Sequence, residues 1–318
     1  MSDPRPVPDG IVVVDKPGGW TSHDVVARLR RLARTRRVGH AGTLDPMATG
    51  VLVVGIGRAT RLLGHLALTE KDYAATIRLG VATTTDDADG EVTARRPVTV
   101  DPAALAAAVG NLTGEIDQIP SSFSAVKVGG VRSYVRARAG EAVELAPRRV
   151  TVSRFEVLGR RPAERPATEG PATEGPAIER PATEDLDVVV TCSSGTYIRA
   201  LARDLGAALG CGAHLRALRR TRVGPFDLTT ASTLDDLEKN FAVLALADAV
   251  ARSFPRRDVD ADETRAVRFG RPLPAAGLRG PHGVFGDDGT LLALFEESGG
   301  KDRPLVVFAP SMAPRADA

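Results

Sequence analysis

Between Gly39 and Arg61 the chain reads GHAGTLDPMATGVLVVGIGRATR, and this stretch does most to limit what the chain can fold into. The apolar run Val51, Leu52, Val53, Val54 and Ile56 reads as a buried strand. The glycines and Asp45-Pro46 ahead of it read as a shaped loop. Pro46 biases Asp45 toward an extended backbone. Gly39 and Gly42 lack a Cβ, so their backbone can approach a ligand closely. The loop would then present one carboxylate, Asp45, and one imidazole, His40, at the mouth of a rigid strand, a common setting for a functional site. The same residues also fit a plain turn, with Asp45 as its cap and His40 at the surface.

What precedes the loop is basic. Ile11 to Val14 is a short apolar strand, stopped by Asp15-Lys16-Pro17-Gly18-Gly19. Thr21 or Ser22 then caps a helix, with Asp24 in the first turn where it suits the helix dipole. Val25, Val26, Leu29, Leu32 and Ala33 share one face at helical spacing. Arg28, Arg30, Arg31, Arg34, Arg36 and Arg37 gather directly before Gly39, so the helix is expected to bring its basic end close to Asp45. A second cluster holds Arg216, Arg219, Arg220 and Arg222. Of the 42 basic residues only five are Lys. Guanidinium groups bind phosphate bidentately, so such clusters either grip a nucleic-acid backbone or form solvated faces. The net charge of +2 names no partner.

Further on, Lys71-Asp72-Tyr73 opens a strand-like run to Leu79 that alternates well enough for one buried face. Thr83 to Gly90 is a polar loop carrying Asp86, Asp87 and Asp89. It lacks the closing Glu of an EF-hand, so a solvated or RNA-contacting loop is expected rather than a calcium site. Asp101-Pro102 starts a helix by the N-cap-then-Pro rule, with Leu105 and Val109 on its buried side. Gln118 to Val128 leads into a strand, and a short helix is expected over 133–139. Pro147 to Gly159 reads as a strand. From Pro162 to Glu184 the chain repeats Pro-Ala-Thr-Glu, a low-complexity tract with little to bury that is expected to be a disordered insertion (162–184) and not a domain boundary. Leu186 to Thr191 resumes as a strand pairing with the one before the insertion. Tyr197 and Arg199 then fall at the first turn of an amphipathic helix, where a polar turn can hold an anion or orient a carboxylate. Gly210 to Gly212 ends it, and Thr233 with Asp236 starts another.

After Phe254-Pro255, short apolar runs recur at Gly283 to Phe285, Leu291 to Phe295 and Leu305 to Phe308, with a hairpin signal at Asp287-Asp288-Gly289. The expected organisation is a domain over 1–250, a small β-rich domain over 251–310 and a frayed tail over 311–318. No apolar run approaches the roughly 18 residues of a membrane helix. The N-terminus lacks the pattern of a signal peptide, and Cys192 and Cys211 read as reduced thiols, so a cytoplasmic protein is expected.

These motifs together resemble a known family. Gly39 to Gly50 (GHAGTLDPMATG), Lys71-Asp72-Tyr73, Gln118-Ile119-Pro120-Ser121, Gly195-Thr196-Tyr197-Ile198-Arg199 and Gly210 to Leu215 (GCGAHL) look like the bacterial TruB-type tRNA pseudouridine-55 synthases. Order and approximate spacing match from Ile11 to about Thr233, apart from the insertion. The C-terminal part is similar to small RNA-binding PUA-like domains. The resemblance implies an α+β pseudouridine-synthase fold, a mixed and mainly antiparallel sheet flanked by helices. It also implies isomerisation of uridine 55 in the T-loop of tRNA, with no metal and no organic cofactor. The family nucleophile falls on Asp45, its active-site Tyr on Tyr73 and its ion-pairing Arg on Arg199. The second pocket Tyr falls on Tyr197, the His inserted near the flipped base on His40, and the Leu lining the base pocket on Leu218. Arg30, Arg34, Arg36, Arg37, Arg219 and Arg220 are the candidates for the RNA backbone. Phe123 stands where some relatives carry Tyr. The expected partner is tRNA, through its T-arm, with no membrane and no metal, and the chain is expected to be a monomer. The alternative is a non-catalytic tRNA-binding or folding protein, which has no need of Asp45, Tyr73 and Arg199 together. A glycosidase would need a second carboxylate near Asp45 that the stretch does not offer.

Overall fold

The computed structural model describes residues 7–122, 127–128, 131–132, 145–163 and 182–309. Phe123, the helix expected over 133–139, residues 164–181 of the Pro-Ala-Thr-Glu tract and the tail lie outside the described residues. The chain forms two compact units, one from 7–46, 50–69 and 223–309, the other from 47–49 and 70–222. The fold is α+β, as expected. No helix among the described residues is long and apolar enough to cross a membrane.

The first unit is built on the apolar run. Thr49–Ile56 pairs antiparallel with Gly10–Lys16, from Gly10 opposite Ile56 to Lys16 opposite Gly50. Val38–Ala41 pairs along its other edge, with His40 opposite Val54. Ile11, Val13, Val51 and Val53 enter one core with Leu62, Leu66, Phe226, Val250, Phe285 and Leu294. Each such aliphatic side chain contributes about 1.5–3 kcal/mol on burial, so the strand is a firm base for the loop ahead of it. The helix Ser22–Leu32 starts at Thr21 through a capping box with Asp24, and buries Val25, Val26 and Leu29.

The C-terminal strands form a five-stranded sheet in the order Arg256–Val259, His282–Gly286, Leu291–Ser298, Lys301–Val307, Leu273–Pro274. The first pair is parallel and the rest antiparallel. The turn at Asp287-Asp288-Gly289 closes with Gly289 N–H donating to Gly286 O at 2.9 Å. Arg58 and Arg61 donate to the carbonyls of Phe308 and Val307 at 2.7 and 2.8 Å, tying the end of this sheet into the first unit.

In the second unit the sheet order is Ala213–Val223, Lys71–Leu79, Glu184–Cys192, Arg148–Pro162, Gly114–Gln118. Lys71–Leu79 alternates buried and half-buried positions along its whole length, as its period of two requires. The helix Pro102–Asn111 has the expected Asp101 cap, and Ile198–Ala208 buries Ile198, Leu201, Ala202 and Leu205.

The ends of the repeat tract are set by strand pairing. Pro162 lies opposite Glu184, and Ala163 N–H donates to Thr183 O at 3.0 Å. A two-residue turn can therefore close that gap. Replacing residues 164–182 by Asn-Gly is expected to leave the melting temperature within about 2 °C of the parent, the scale of a surface change. A much larger drop in a thermal melt would show that the tract is packed.

Candidate active site

In the first unit the Asp45 loop is held on both sides of the carboxylate. The buried Ser22 hydroxyl accepts from Leu44 N–H at 2.9 Å and donates to Leu44 O at 3.1 Å. The fully buried Lys16 ammonium donates to Pro46 O at 3.2 Å, and also to Pro17 O and Trp20 O at 2.9 and 2.7 Å. Gly19 N–H donates to the same Pro46 carbonyl at 2.9 Å. Gly42 supplies the turn into the loop, with φ at +79°, a region costly for residues with a Cβ. Asp45 itself is half-buried. A carboxylate placed between two pinned neighbours loses little entropy when it engages a substrate.

Two local expectations change here. Ser22 was a candidate helix cap, but Thr21 takes that role and frees Ser22 to brace Leu44. Gly39 and His40 were placed in the loop, but both lie on the strand Val38–Ala41. A Cβ on Gly39 would stand 3.0 Å from Leu63 Cδ1, so this glycine admits a neighbouring side chain, not a ligand. His40 is half-buried, its ring set edge-on to His23 with centroids 5.6 Å apart.

The second unit carries the other candidates. Tyr73 is 8% exposed on Lys71–Leu79. Arg199 is 4% exposed in the first turn of Ile198–Ala208. Its Nη1 donates to Thr85 O at 2.9 Å and to Ser121 Oγ at 3.4 Å, and lies 3.3 Å from Asp87 Oδ2. Asp87, 5% exposed, also accepts from the Thr85 hydroxyl and from Asp89 N–H. Burial pushes its pKa up, against the pull of Thr85 and Arg199. Asp86 shows the same balance, raised by burial against Arg203, whose Nη1 is 3.4 Å away. The loop from Thr83 to Gly90 is therefore not simply a solvated acidic loop. Two of its carboxylates are internal counter-ions, and no metal-holding group of His, Cys, Asp or Glu exists among the described residues.

Tyr197 is half-buried and clamped at its backbone. Its N–H donates to Gln118 Oε1 at 2.8 Å, and its carbonyl accepts from Gln118 Nε2 at 3.1 Å. Sequence reading missed Gln118, Asp87, Ser22 and Lys16 as supports. For Asp87 the available signal was an acidic residue in a loop of hydroxyls; for Gln118, its place in a matched motif. Leu218 lines a cavity of about 560 Å³ with Met47, Ala74, Thr76, Leu158 and Asp187, within the usual range for a small-ligand pocket.

The two Arg clusters differ. Arg30, Arg31, Arg34, Arg36 and Arg37 are exposed. Among the described residues Arg30 donates to Val38 O at 3.2 Å, and none of the five is ion-paired within 4.0 Å. In the second cluster Arg216 pairs with Asp185 at 2.7 Å and Arg222 with Asp72 at 2.6 Å. Burial raises the Asp185 pKa, but Arg78 and Arg216 outweigh it and hold the carboxyl below its ordinary value. Arg219 donates to Thr49 Oγ1 at 3.3 Å. Arg220 is 1% exposed. It is withdrawn from the backbone candidates, because a surface phosphate cannot reach a side chain enclosed by the sheet.

Comparison with known proteins follows the same lines. The sequence model described as TruB family pseudouridylate synthase (N terminal domain) matches residues 30–198. Those described as tRNA pseudouridylate synthase B C-terminal domain and tRNA pseudouridine synthase II, C terminal, match 199–252 and 254–309. The chain is 60% identical over 304 residues to tRNA pseudouridine synthase B of Thermobifida fusca (strain YX), covering 95% of this chain and 99% of that one. It is 56% identical over 313 residues to the protein of the same name from Streptomyces coelicolor, covering 97% and 100%. Among solved structures, a Cbf5-Nop10-Gar1 complex matches with a TM-score of 0.69 at 28% identity, over 95% of this chain and 85% of that one. An H/ACA RNP bound to a substrate RNA containing 2'-deoxyuridine matches with a TM-score of 0.67 at 25% identity, over 95% and 86%.

Proposed function

The chain belongs to the TruB family of pseudouridine synthases, and from that membership we propose that it converts uridine 55 in the T-loop of tRNA to pseudouridine with Asp45 as nucleophile. Pseudouridylation of tRNA follows from the family and from relatives that match almost end to end. The choice of uridine and the roles of single residues are the finer part of the reading. The observation that carries it is the Asp45 loop, a half-buried carboxylate between two residues pinned by Ser22 and Lys16.

The reaction is an isomerisation and balances without an added reactant. The N1–C1′ bond breaks, the uracil turns, a C5–C1′ bond forms, the C5 proton leaves to solvent and N1 takes up a proton from solvent in its place. The Asp45 carboxylate attacks either C1′ of the sugar or C6 of the base, forming a covalent adduct that splits one hard step into two. Tyr73 stacks on the base and, where the route passes through a glycal, takes the C2′ proton. Arg199 keeps the carboxylate ionised and aimed. Leu218 and Tyr197 bound the base pocket. The uridine must first leave its stack, at a cost of a few kcal/mol. His40, filling the vacated space, and phosphate contacts from Arg30, Arg34, Arg36, Arg37 and Arg219 offset that cost.

The test is to map pseudouridine in an unmodified tRNA transcript after incubation with the purified chain. Modification at position 55, and its loss in a transcript with cytidine there, is expected. Modification elsewhere, with position 55 untouched, would overturn the site. Binding of T-arm RNA is also expected to weaken steeply between 50 and 200 mM salt, with a log–log slope of roughly −0.7 to −0.9 per phosphate contacted. Changing Arg34 or Arg36 to Ala should flatten that slope by about one each. A flat salt response of the parent chain in an anisotropy titration would remove the clusters from the RNA interface.

A further inference from the structure

The chain has one Trp, and it stands at the surface. Trp20 is 37% exposed, at the end of an exposed loop running from Pro17. About a third of its surface is open to solvent, on a segment whose backbone is firmly held. The loop is held firmly here. Lys16 Nζ donates to Trp20 O at 2.7 Å and to Pro46 O at 3.2 Å. Gly19 N–H donates to Pro46 O at 2.9 Å, and Gly19 takes φ +79°, which only glycine adopts readily. The same contacts that brace Asp45 therefore brace the backbone of Trp20. Thr21 follows at once as the cap of Ser22–Leu32.

A pair of imidazoles follows in sequence and in the fold. His23, three positions on, is exposed and meets the His40 ring at 5.6 Å. In a chain with only 4% aromatic residues, Trp20 and His23 both stand exposed at the start of this helix. The exposed Arg30, Arg31, Arg34, Arg36 and Arg37 lie at and beyond the far end of the same helix. Aromatic faces next to an unneutralised basic stretch are how proteins hold unpaired nucleotides: cations track the backbone, and rings stack on bases irrespective of their identity.

We propose that Trp20 is a stacking platform for an unpaired base of the substrate RNA, next to the nucleotide that enters the Asp45 site. This rests on the reading of the chain as a T-loop pseudouridine synthase. Trp20 takes no part in bond making; it positions the loop of the RNA while His23 supports His40 from the side. The Gly19 turn and the Lys16 bond to Trp20 O hold the backbone that presents the indole.

Because Trp20 is the only indole, the intact full-length chain reports on itself. Titration with a T-arm stem-loop is expected to shift or quench tryptophan emission, saturating at the dissociation constant given by anisotropy of labelled RNA. A fully paired duplex of equal length should leave the emission unmoved. Trp20→Ala is expected to raise Kd and KM by about 5- to 100-fold, the range for loss of one stacked base, with kcat at saturating RNA changed by less than about three-fold. Trp20→Phe should recover most of the loss, and melting curves should match the parent. RNA that binds by anisotropy without moving the emission, or Trp20→Ala binding like the parent, overturns the proposal. Pseudouridine still formed at position 55 in that case shows that the stacking alone has failed. No pseudouridine at position 55 overturns the functional reading instead.

Discussion

Asp45→Asn is expected to abolish pseudouridine formation while T-arm RNA still binds within about three-fold of the parent. The amide has nearly the same shape and is expected to keep the loop, since Ser22 and Lys16 brace it through Leu44 and Pro46. What it loses is the charge and nucleophilicity of the anion. Removal of a covalent nucleophile costs on the order of 10⁴-fold or more in kcat, because the remaining groups are organised around the step it performs. Tritium release from uracil labelled at C5, followed in a single turnover, measures this directly. Residual turnover within 100-fold of the parent would move the nucleophile elsewhere, and a collapse in binding would make Asp45 a structural residue.

The second large effect is expected at Asp87. Asp87→Asn removes the buried charge facing Arg199 but leaves a side chain that can still accept from Thr85 and Asp89. Arg199 stays buried, with Thr85 O and Ser121 Oγ among the acceptors left to it. Breaking one side of a buried ion pair costs about 3 kcal/mol of stability, read as a fall in the unfolding free energy in urea. A guanidinium released by even about 1 Å costs about 100-fold in rate. Asp87 is therefore expected to act as a positioning residue, and the informative measurement is a cycle. Arg199→Gln should lose activity as well, and Asp87→Asn in that background should cost little more. Losses that multiply would mean that Asp87 acts independently of Arg199.

Much of the scaffold was legible because its causes are local. The alternation from Lys71 to Leu79, the Thr21–Asp24 capping box, the Asp101-Pro102 helix start and the Asp287-Asp288-Gly289 turn each depend on residues a few positions apart. Even His40 was singled out, although its setting was misread: glycine neighbours suggested a loop, while Gly39 is small to admit Leu63. The supports were not legible. Thr85 and Arg199 are 114 positions apart, and Gln118 and Tyr197 are 79 apart. A run of Asp reads the same whether it faces water or a buried guanidinium. Likewise the Arg clusters look alike in sequence, yet one is exposed apart from Arg28, which pairs with Glu238, and the other is largely neutralised or enclosed.

By itself the sequence determined the class of fold, the strand under the Asp45 loop and the kinds of residue a pseudouridine synthase requires, because propensity, periodicity and motif spacing act along the chain. Only the tertiary structure decided which charges meet one another and which remain for a ligand. It buried Asp87 against Arg199, enclosed Arg220, and left Arg30, Arg31, Arg34, Arg36 and Arg37 exposed. Burial and charge pairing are set by segments far apart in sequence, and desolvation, which governs the strength of each pair, exists only once those segments have packed.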